Sequence, residues 1–431
     1  MDCNLDVAVL GGGAAGAAAA LVLLKYSDLS VGVIEKSEYE NFRIGESLSP
    51  GVKPLLNYLG VDDLLKQHQP SFGLRAAWGN DKMQSLDFIY TLQGQGLSLN
   101  RQQFDRTLAE TVVAHGGILL KGAKLKYLNS TPQGWEITTS KGNWRSRYCI
   151  DATGKGSVLA RHQGARRLLY DRLVGVVGIG EMGGEDSFTE IEACEDGWWY
   201  SAKLPDYRTV FAYLSDSDLI KRDRLKDSAN WLSKLNKTRH LVKRAQKCQF
   251  KRPVHLFPAH TAHLDRMYGN NWIAVGDAVA SHDPLSARGI PNALNTGIQA
   301  ARIAHGLLSQ QTNFLEGYSA TIVRDFQEYL DTRTRYYQIE ERWKQSPFWH
   351  RRQSVIQLNP MSHLAAIKEF RPLNLHLNQQ DYKALYLLCI QSQPAHKIIR
   401  AFKETVKTNV PDRQIILGLQ DLVSQDIVKV L

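Results

Sequence analysis

The stretch DVAVLGGGAAGAAAALVLL, residues 6–24, decides the fold of this 431-residue chain. Its four apolar residues, Val7 to Leu10, are too few for a helix and predict a buried strand, whereas the alanine-rich half has high helix propensity. Gly11, Gly13 and Gly16 lie between the two. A strand, a glycine turn and a helix in this order predict a Rossmann-like turn that binds a pyrophosphate at the helix N-terminus.

The three glycines have separate expected roles. Gly11 allows the tight turn, Gly13 lets a pyrophosphate approach the backbone, and Gly16 lets the helix pack on the strand. A second apolar strand, LSVGVIEK (residues 29–36), ends at Glu35, 19 residues after Gly16. An acid at this distance is placed to accept hydrogen bonds from an adenosine ribose.

A second glycine pattern, Gly178-x-Gly180-x-x-Gly183, also follows an apolar run. The next segment, EDSFTEIEAC (residues 185–194), alternates acidic with uncharged residues and predicts a strand. Because no helix N-terminus follows this pattern, we exclude a second dinucleotide site and expect no dedicated nicotinamide domain.

Three further segments favour FAD over NAD: NFRIGESLSP (41–50), YCIDATGKGS (148–157) and NWIAVGDAVASHDPLSARGIPNAL (271–294). In their order and spacing the chain resembles the flavoprotein monooxygenases with a para-hydroxybenzoate-hydroxylase type fold, over about residues 1–345. It is most similar to their flavin-dependent halogenase-like branch. The resemblance implies an α/β (α+β) fold with a Rossmann-like FAD-binding domain, a β-sheet substrate domain and a C-terminal helical region.

The resemblance also implies FAD as the cofactor, reduced by NAD(P)H or by a separate reductant. The WIAVGDA strand ends where open α/β sheets place ligands, and a helix is expected to start near Pro291. The candidate FAD-binding residues are Gly11, Gly13, Ala14, Ala15, Gly16, Glu35, Lys36, Arg43, Glu46, Ser47, Arg101, Asp151, Gly154, Gly276, Asp277, Pro284, Gly289 and Ile290.

Residues that tryptophan halogenases use are replaced in this chain. The W-x-W-x-I-P stretch of those enzymes falls on YSAKLP (200–205), and Ser286 and Ala287 stand where they have a glutamate and a serine. Their lysine has its nearest match in Arg75, and an arginine cannot shuttle a proton as a lysine does. We therefore expect oxygenation, or another flavin redox reaction, and not halogenation.

The candidate catalytic residues are Arg288, Ser286, His282 and Arg75. The resemblance places Arg288 near the flavin ring, and the alternative for this residue is a salt bridge that ties its loop to the other domain. The strand residues Trp198, Trp199 and Tyr200 are either core or an aromatic wall that faces an aromatic substrate.

Within the halogenase-like branch, the chain is most similar to the flavoproteins that mature quinoprotein oxidases. The similarity rests on GESLSP (45–50), GWWYSAKLP (197–205), GDAVASHDPL (276–285) and RYYQIEERWKQSPFW (335–349) together. It implies a protein substrate: a tryptophan of an oxidase precursor, hydroxylated during tryptophylquinone formation. Two alternatives stay open, namely a small-molecule aromatic hydroxylase or halogenase-like enzyme, and a flavin-bearing protein that binds or chaperones a partner.

Charge and composition limit the other classes. The net charge is +10, and twelve Lys and Arg residues lie in residues 221–252, which form either a solvated helical face or a docking surface for an acidic partner. Neither a nucleic-acid motif nor a metal-binding motif accompanies this charge. The five scattered cysteines favour free thiols, and the acidic N-terminus favours a cytoplasmic protein without a membrane segment.

We expect three regions along the chain. Residues 1–75, 98–170 and 265–345 form the discontinuous FAD-binding domain, and residues 76–97 and 171–264 form the β-rich substrate domain. Residues 346–431 form a C-terminal region of three amphipathic helical segments, separated at Pro394 and Pro411.

Overall fold

The computed structural model describes residues 3–88, 95–181, 187–251, 253–310, 314–353, 358, 360–373, 375–406, 410–425 and 427–431. The strands are β1 Cys3–Leu10, β2 Val31–Ile34, β3 Ser47–Leu48, β4 Gln69–Ser71, β5 Gly73–Ala77, β6 Gln84–Asp87, β7 Gly96–Ser98, β8 Ile118–Leu120, β9 Leu125–Thr131, β10 Gly134–Thr139, β11 Gly142–Asp151, β12 Arg167–Leu169, β13 Leu173–Glu181, β14 Phe188–Cys194, β15 Gly197–Lys203, β16 Arg208–Asp216, β17 Gln249–Phe250, β18 His255–Pro258, β19 Ala262–Leu264, β20 Tyr268–Gly269, β21 Trp272–Ala274, β22 Ala280–Ser281, β23 His363–Ala366, β24 Gln393–Pro394 and β25 Val428–Val430. The helices are α1 Ala14–Tyr26, α2 Lys53–Leu59, α3 Arg101–Ala114, α4 Val158–His162, α5 Ser217–Arg222, α6 Ser228–Leu235, α7 Leu241–Ala245, α8 Gly289–Leu308, α9 Leu315–Gln338, α10 Pro347–Gln353, α11 Gln379–Leu388, α12 Ala395–Val406 and α13 Asp412–Ser424.

The first sheet is the Rossmann-like layer. Strands β21, β11, β1, β2 and β8 lie side by side, and each neighbouring pair is parallel. Leu10, at the end of β1, lies opposite Ile34 on one side and Asp151 on the other. Because the carboxyl ends of parallel strands meet at one edge, the turns after β1, β2 and β11 come together there. The predicted α/β fold class is confirmed.

Close backbone contacts form the glycine turn after β1. Gly11 has a φ of +110°, and a Cβ atom at this position would lie 2.2 Å from the carbonyl oxygen of Ala152. A Cβ on Gly16 would lie 1.9 Å from the carbonyl oxygen of Gly11, so only glycine lets α1 pack against the turn. Gly13 differs, because a Cβ there would meet no described atom within 4 Å.

Helix α8 packs on α1 beside this turn. A Cβ on Gly297 would lie 2.3 Å from the carbonyl oxygen of Ala15, and a Cβ on Gly276 would lie 2.8 Å from the Ala15 Cβ. The Thr296 hydroxyl accepts a hydrogen bond from the Gly276 N–H at 2.8 Å. These contacts fix the first turn of α1 against α8, which begins at Gly289, two residues before its expected start.

The second sheet has the strand order β17-β13-β16-β15-β14-β5-β6, with β18 paired to β13. Neighbouring strands are antiparallel except β14 and β5, which are parallel. Because β5 belongs wholly to this sheet, the expected domain boundary at residue 75 cuts a strand and must move before Gly73. The pairing of β5 with β14 is a long-range contact, which no local pattern in the sequence reveals.

The two faces of the second sheet have different neighbours. The outer face carries Trp199 and Tyr213 and packs against α6 and α7. The inner face carries Trp198 and Tyr200 and packs against Phe42 and Ile44 of the first domain. The inner face therefore points toward the first domain, whereas the outer face points toward α6 and α7.

The second glycine pattern continues into sheet structure as predicted. Strand β13 ends at Glu181, and the next described element is strand β14. Gly183 lies outside the described residues, together with the rest of 182–186.

The C-terminal region has a hydrophobic core of its own. Helices α11, α12 and α13 follow the three predicted amphipathic segments and contribute Leu385, Phe402 and Leu419 to that core. A small sheet, β24-β23-β25, packs with the helices and was not predicted, because strands of two to four residues are too short to show alternation. The region meets the first domain where the Tyr170 and His376 rings contact at 4.6 Å.

All five cysteines are free thiols, as predicted. Among the described residues, no helix combines the length and the apolar character needed to cross a bilayer.

A matched pair of glycine variants tests the turn. Gly13→Val should give folded but colourless protein, because its side chain enters open space where a pyrophosphate is expected to approach. Gly11→Val should prevent folding, because its φ and its contact with Ala152 both exclude a branched side chain. Absorbance of bound flavin and thermal unfolding distinguish these outcomes. A Gly13→Val protein that keeps its full flavin content would show that the pyrophosphate lies elsewhere.

Candidate functional site

The turn after β2 contacts the glycine turn directly. The Glu35 carboxylate accepts a hydrogen bond from the Gly12 N–H at 2.8 Å and another from the Ser37 hydroxyl at 2.6 Å. The Tyr39 hydroxyl donates to the Gly12 carbonyl oxygen at 2.8 Å. Glu35 thus reaches the predicted position beside the turn, while the neighbouring Lys36 is exposed.

Two predicted arginines converge on an acid that the sequence analysis missed. The buried carboxylate of Asp105 accepts from Arg43 at 2.8 Å and from Arg101 at 3.2 Å. Arg101 also donates to the carbonyl oxygen of Ile44 at 2.9 Å, so α3 holds the GES segment in place. The signal was available in the sequence, since Asp105 follows Arg101 by one helical turn.

Glu46 is buried in the GES segment, and its side chain faces the inner face of the second sheet. Its Oε2 atom accepts hydrogen bonds from the Tyr200 hydroxyl at 3.1 Å and from the Gly45 N–H at 3.2 Å. Its Oε1 atom is the only buried carboxylate oxygen in the described part of the chain that has no hydrogen-bond partner. Burial raises the pKa of this carboxyl above its ordinary value. The next residue, Ser47, begins β3 and pairs with Ser98 of β7.

Asp151 shapes the turn after β11. One of its oxygens accepts from the Thr153 hydroxyl at 2.6 Å, and the other accepts from the Ala160 N–H at 2.9 Å. Both oxygens are therefore occupied by protein donors, although burial raises the pKa of the carboxyl. Gly154 follows with a φ of +65° and open space on its side-chain side.

Asp277 lies in a short turn after β21. Its carbonyl oxygen accepts from Arg167 at 2.8 Å, and the same guanidinium reaches the Ser281 hydroxyl at 2.7 Å. No described donor is bonded to the Asp277 carboxylate, which is half-buried. The side chain therefore remains available to a ligand. Arg167, which the sequence analysis missed, holds the backbone of this turn.

The loop between β22 and α8 is ordered by Asp283, a second acid that the sequence analysis missed. Its carboxylate accepts from the Leu285 N–H at 3.0 Å and from the Tyr337 hydroxyl at 2.7 Å. Tyr337 in turn accepts from the indole N–H of Trp198 at 3.1 Å. This chain of hydrogen bonds connects the loop to the inner face of the second sheet. An Asp directly before Pro284 is a turn signal visible in the sequence.

The candidate catalytic residues of this loop differ in their environments. The Ser286 hydroxyl donates back to the Asp283 carbonyl oxygen at 2.8 Å. Burial and the nearby Arg288 lower the pKa of His282 to about 3, so its imidazole is neutral at physiological pH. Arg288 is exposed at the start of α8 and has no acidic partner among the described residues. The salt-bridge alternative for Arg288 therefore finds no support in the described structure.

The predicted aromatic wall is divided by the strand that carries it. Trp198 and Tyr200 lie on the inner face, whereas Trp199 points to the outer face and packs against Trp231 of α6 at 5.2 Å. Trp199 is therefore core, which corrects its assignment to a substrate wall. The cause is the two-residue period of a strand, since neighbouring side chains cannot share a face.

Arg75 is also on the outer face, and its assignment as a catalytic residue is wrong. It forms an ion pair with Glu190 at 3.5 Å and lies over the Phe188 ring at 4.0 Å. On β5, the inner face instead presents Leu74 and Ala76.

The residues at this edge fit FAD. Gly13 and Gly289, at the N-termini of α1 and α8, both have open space where a Cβ would stand. The Nε atom of Arg101 and Oε1 of Glu46 are buried without partners. Open helix N-termini suit phosphate groups, and unpaired buried polar atoms indicate a polar ligand. The remaining candidates lie nearby: Pro284 is exposed in the loop, and Ile290 is buried in α8.

Comparison with known proteins identifies the family. The tryptophan halogenase family model matches residues 6–91 and 92–381. The FAD-dependent oxidoreductase named LodB, from Marinomonas mediterranea, is 30% identical over 371 residues, which are 83% of this chain and 100% of that protein. A tryptophan 2-halogenase of Chondromyces crocatus is 22% identical over 376 residues, covering 81% of this chain and 70% of that one.

Solved structures show the same fold. The myxobacterial chondrochloren halogenase CndH superposes with a TM-score of 0.74 at 19% identity, covering 82% of this chain and 87% of that one. QhpG, described as a peptidyl tryptophan dihydroxylase essential for tryptophylquinone cofactor biogenesis, superposes with a TM-score of 0.65 at 21% identity, covering 98% and 99%. The chain therefore belongs to the tryptophan halogenase family and is an FAD-dependent oxidoreductase, which confirms the resemblance drawn from its motifs.

Proposed function

We propose that this enzyme hydroxylates a tryptophan residue of a partner protein during the maturation of a tryptophylquinone cofactor. The partner is the precursor of a quinoprotein oxidase. FAD, reduced by NAD(P)H or by a separate reductant, supplies the electrons that activate oxygen. The protein itself binds the cofactor, positions the indole ring and excludes water from the space between the two sheets.

The observation that carries this proposal is the chemistry of the inner face. Halogenases use a lysine and a glutamate, whereas the inner face of β5 presents Leu74 and Ala76, and the loop presents Ser286. The Ser286 hydroxyl is engaged by its own loop. None of these side chains can hold a halogenating species as a lysine amine does. Trp198 is buried against Trp78 and bonded to Tyr337, whereas Tyr200 is only partly buried on the inner face. The aromatic ring of Tyr200 suits contact with an indole that is oxygenated in place.

The choice of a protein substrate is supported by one structural neighbour, QhpG, which matches 98% of this chain. The flavin-dependent halogenase CmlS matches 99% of the chain, so the support comes from the described activity of QhpG and not from the length of the match. The name of QhpG gives a peptidyl tryptophan as its substrate.

The region around Glu46 and Tyr200, on the inner face of the second sheet, is called the reaction chamber. Glu46 would act there in its neutral form. Burial raises the pKa of this carboxyl against the opposing effect of the Arg101 cation, and the raised pKa favours the protonated form; we propose that the proton lies on the unpaired Oε1 atom. In that form Glu46 can donate one hydrogen bond to the cofactor or to the substrate, while Tyr200 fixes its other oxygen. Glu35 and Asp277 are proposed to bind the ribose and ribityl regions, and Arg101 the diphosphate.

The function is tested by supplying the enzyme with NAD(P)H or reduced FAD, isotope-labelled oxygen and chloride. The substrates are a peptide that carries the tryptophan of a quinoprotein oxidase precursor, free tryptophan and indole. We expect mass spectrometry to detect labelled oxygen in the peptide alone. A chlorinated product would overturn the proposal in favour of halogenation, and oxygenated free tryptophan would favour a small-molecule hydroxylase. A bound flavin that no reductant bleaches would favour a binding protein.

Arg288 is expected to assist chemistry without supporting the fold. Its cation, which already acts on the neighbouring His282, would stabilise negative charge that develops beside the flavin ring. Because Arg288 is exposed and has no acidic partner in the described structure, Arg288→Met should keep FAD and the melting temperature. Turnover should fall by at least about tenfold, which is roughly 1.4 kcal/mol of barrier. Arg288→Lys, which keeps the charge but loses the planar fork, should be intermediate.

The state of Glu46 is tested by the pH dependence of unfolding of the apoprotein. Because burial raises its pKa in the folded state, wild-type protein should lose stability as the pH rises through that pKa, and Glu46→Gln should not. The stability difference should grow by up to about 1.4 kcal/mol per pH unit. Tyr200→Phe, which removes a donor that favours the ionised form, should move this loss to higher pH. Equal pH dependence in wild type and Glu46→Gln would show that folding does not shift the pKa of Glu46, which would contradict this expectation.

A further inference from the structure

The basic segment 221–252 folds into helices α5, α6 and α7 on the outer face of the second sheet. Five of its cations are engaged: Arg222, Lys234, Arg239, Arg244 and Lys251 all form ion pairs. Six others are exposed and have no acidic partner among the described residues. They are Lys221, Arg224, Lys226, Lys237, Lys243 and Lys247. We call these six residues the basic patch; Arg252 lies outside the described residues.

Each acid within the same helical segment is already used. Asp218 pairs with Arg351 of α10 at 2.9 Å, and Asp223 pairs with Lys234 at 2.8 Å. Asp227 caps α6 by accepting from the Ala229 N–H at 2.9 Å. The segment therefore has no carboxylate of its own left to neutralise the basic patch. The like charges lie on α5, on α7 and in the turns between and after these helices, and they produce a positive field that a partner of opposite charge would relieve.

The basic patch is separated from the reaction chamber. Helices α5, α6 and α7, which lie beside the patch residues, pack on the outer face against Trp199 and Tyr213. The side chains proposed to act on the substrate, such as Tyr200, are on the inner face of the same sheet. A ligand bound to the patch therefore cannot be the group that reacts, because a full sheet lies between them.

We propose that the basic patch is a docking site for an acidic segment of the protein substrate, distinct from the chamber that receives its tryptophan. This inference rests on the proposed protein substrate. An acidic polypeptide fits better than a free anion, because six exposed cations spread over α5, α7 and their adjoining turns match several carboxylates of a chain and not a single small group. Docking at such a surface raises the rate of encounter and holds the substrate while its tryptophan enters the chamber.

Charge reversal with a matched control tests the site. Lys243→Glu with Lys247→Glu reverses two charges of the patch, and Lys124→Glu with Lys126→Glu reverses two exposed lysines of the first domain. The probe is a fluorescent polyglutamate peptide, measured by anisotropy at low and high salt, with a DNA duplex in parallel. We expect roughly tenfold weaker peptide binding for the patch variant, little change for the control, and loss of binding at high salt.

The remaining outcomes overturn the proposal. Equal weakening in both double variants would mean that overall charge alone attracts the peptide, and undetectable binding by wild type would mean that no acidic site exists. DNA bound more tightly than the peptide, and released by the patch variant, would assign the surface to nucleic acid.

Flavin bleaching by NAD(P)H and oxygen uptake without protein substrate should be the same in the patch variant and wild type. With the precursor protein as substrate, the patch variant should show a higher KM and an unchanged kcat. If hydroxylation is absent in wild type while peptide binding follows the patch, the proposed function fails and the docking site stands.

Discussion

The structure depends on one constraint, the approach of backbone to backbone without side chains between them. The position that a Cβ would occupy lies against a backbone carbonyl oxygen at three glycines. For Gly16 this is the oxygen of Gly11, for Gly11 the oxygen of Ala152, and for Gly297 the oxygen of Ala15. These contacts join β1, α1, the turn after β11 and α8 into one rigid edge. A methyl group at any of the three glycines would lie between 1.9 and 2.3 Å from a carbonyl oxygen, so two of these elements would have to move apart and the cofactor site would lose its shape.

Local pattern predicted the parts of this edge that are encoded in a few successive residues. The glycine turn and the acid after β2 follow the sequence because each depends on its own neighbours. The face of the second sheet on which each side chain lies was harder to predict from the sequence. Trp199 and Arg75 were misassigned because the face that a residue occupies depends on strand register and on distant pairings such as β5 with β14.

Hydrogen bonds between segments that are distant in the sequence could not be predicted either. Asp105 and Asp283 are ordinary acids in the sequence, and only the fold brings Arg43 to the first and Tyr337 to the second. Both are buried, so leaving either without its donors would cost the full penalty of an unsatisfied charge. The contrast with Glu46 is informative, because the same fold that satisfies these acids leaves one of its oxygens unpaired.

The turn that Asp151 organises affects how the cofactor binds. Because its carboxylate is fully occupied by protein donors, this turn keeps its shape whether or not a nucleotide is present. A preformed turn of this kind loses little conformational entropy when the flavin binds, and the binding is stronger for that reason.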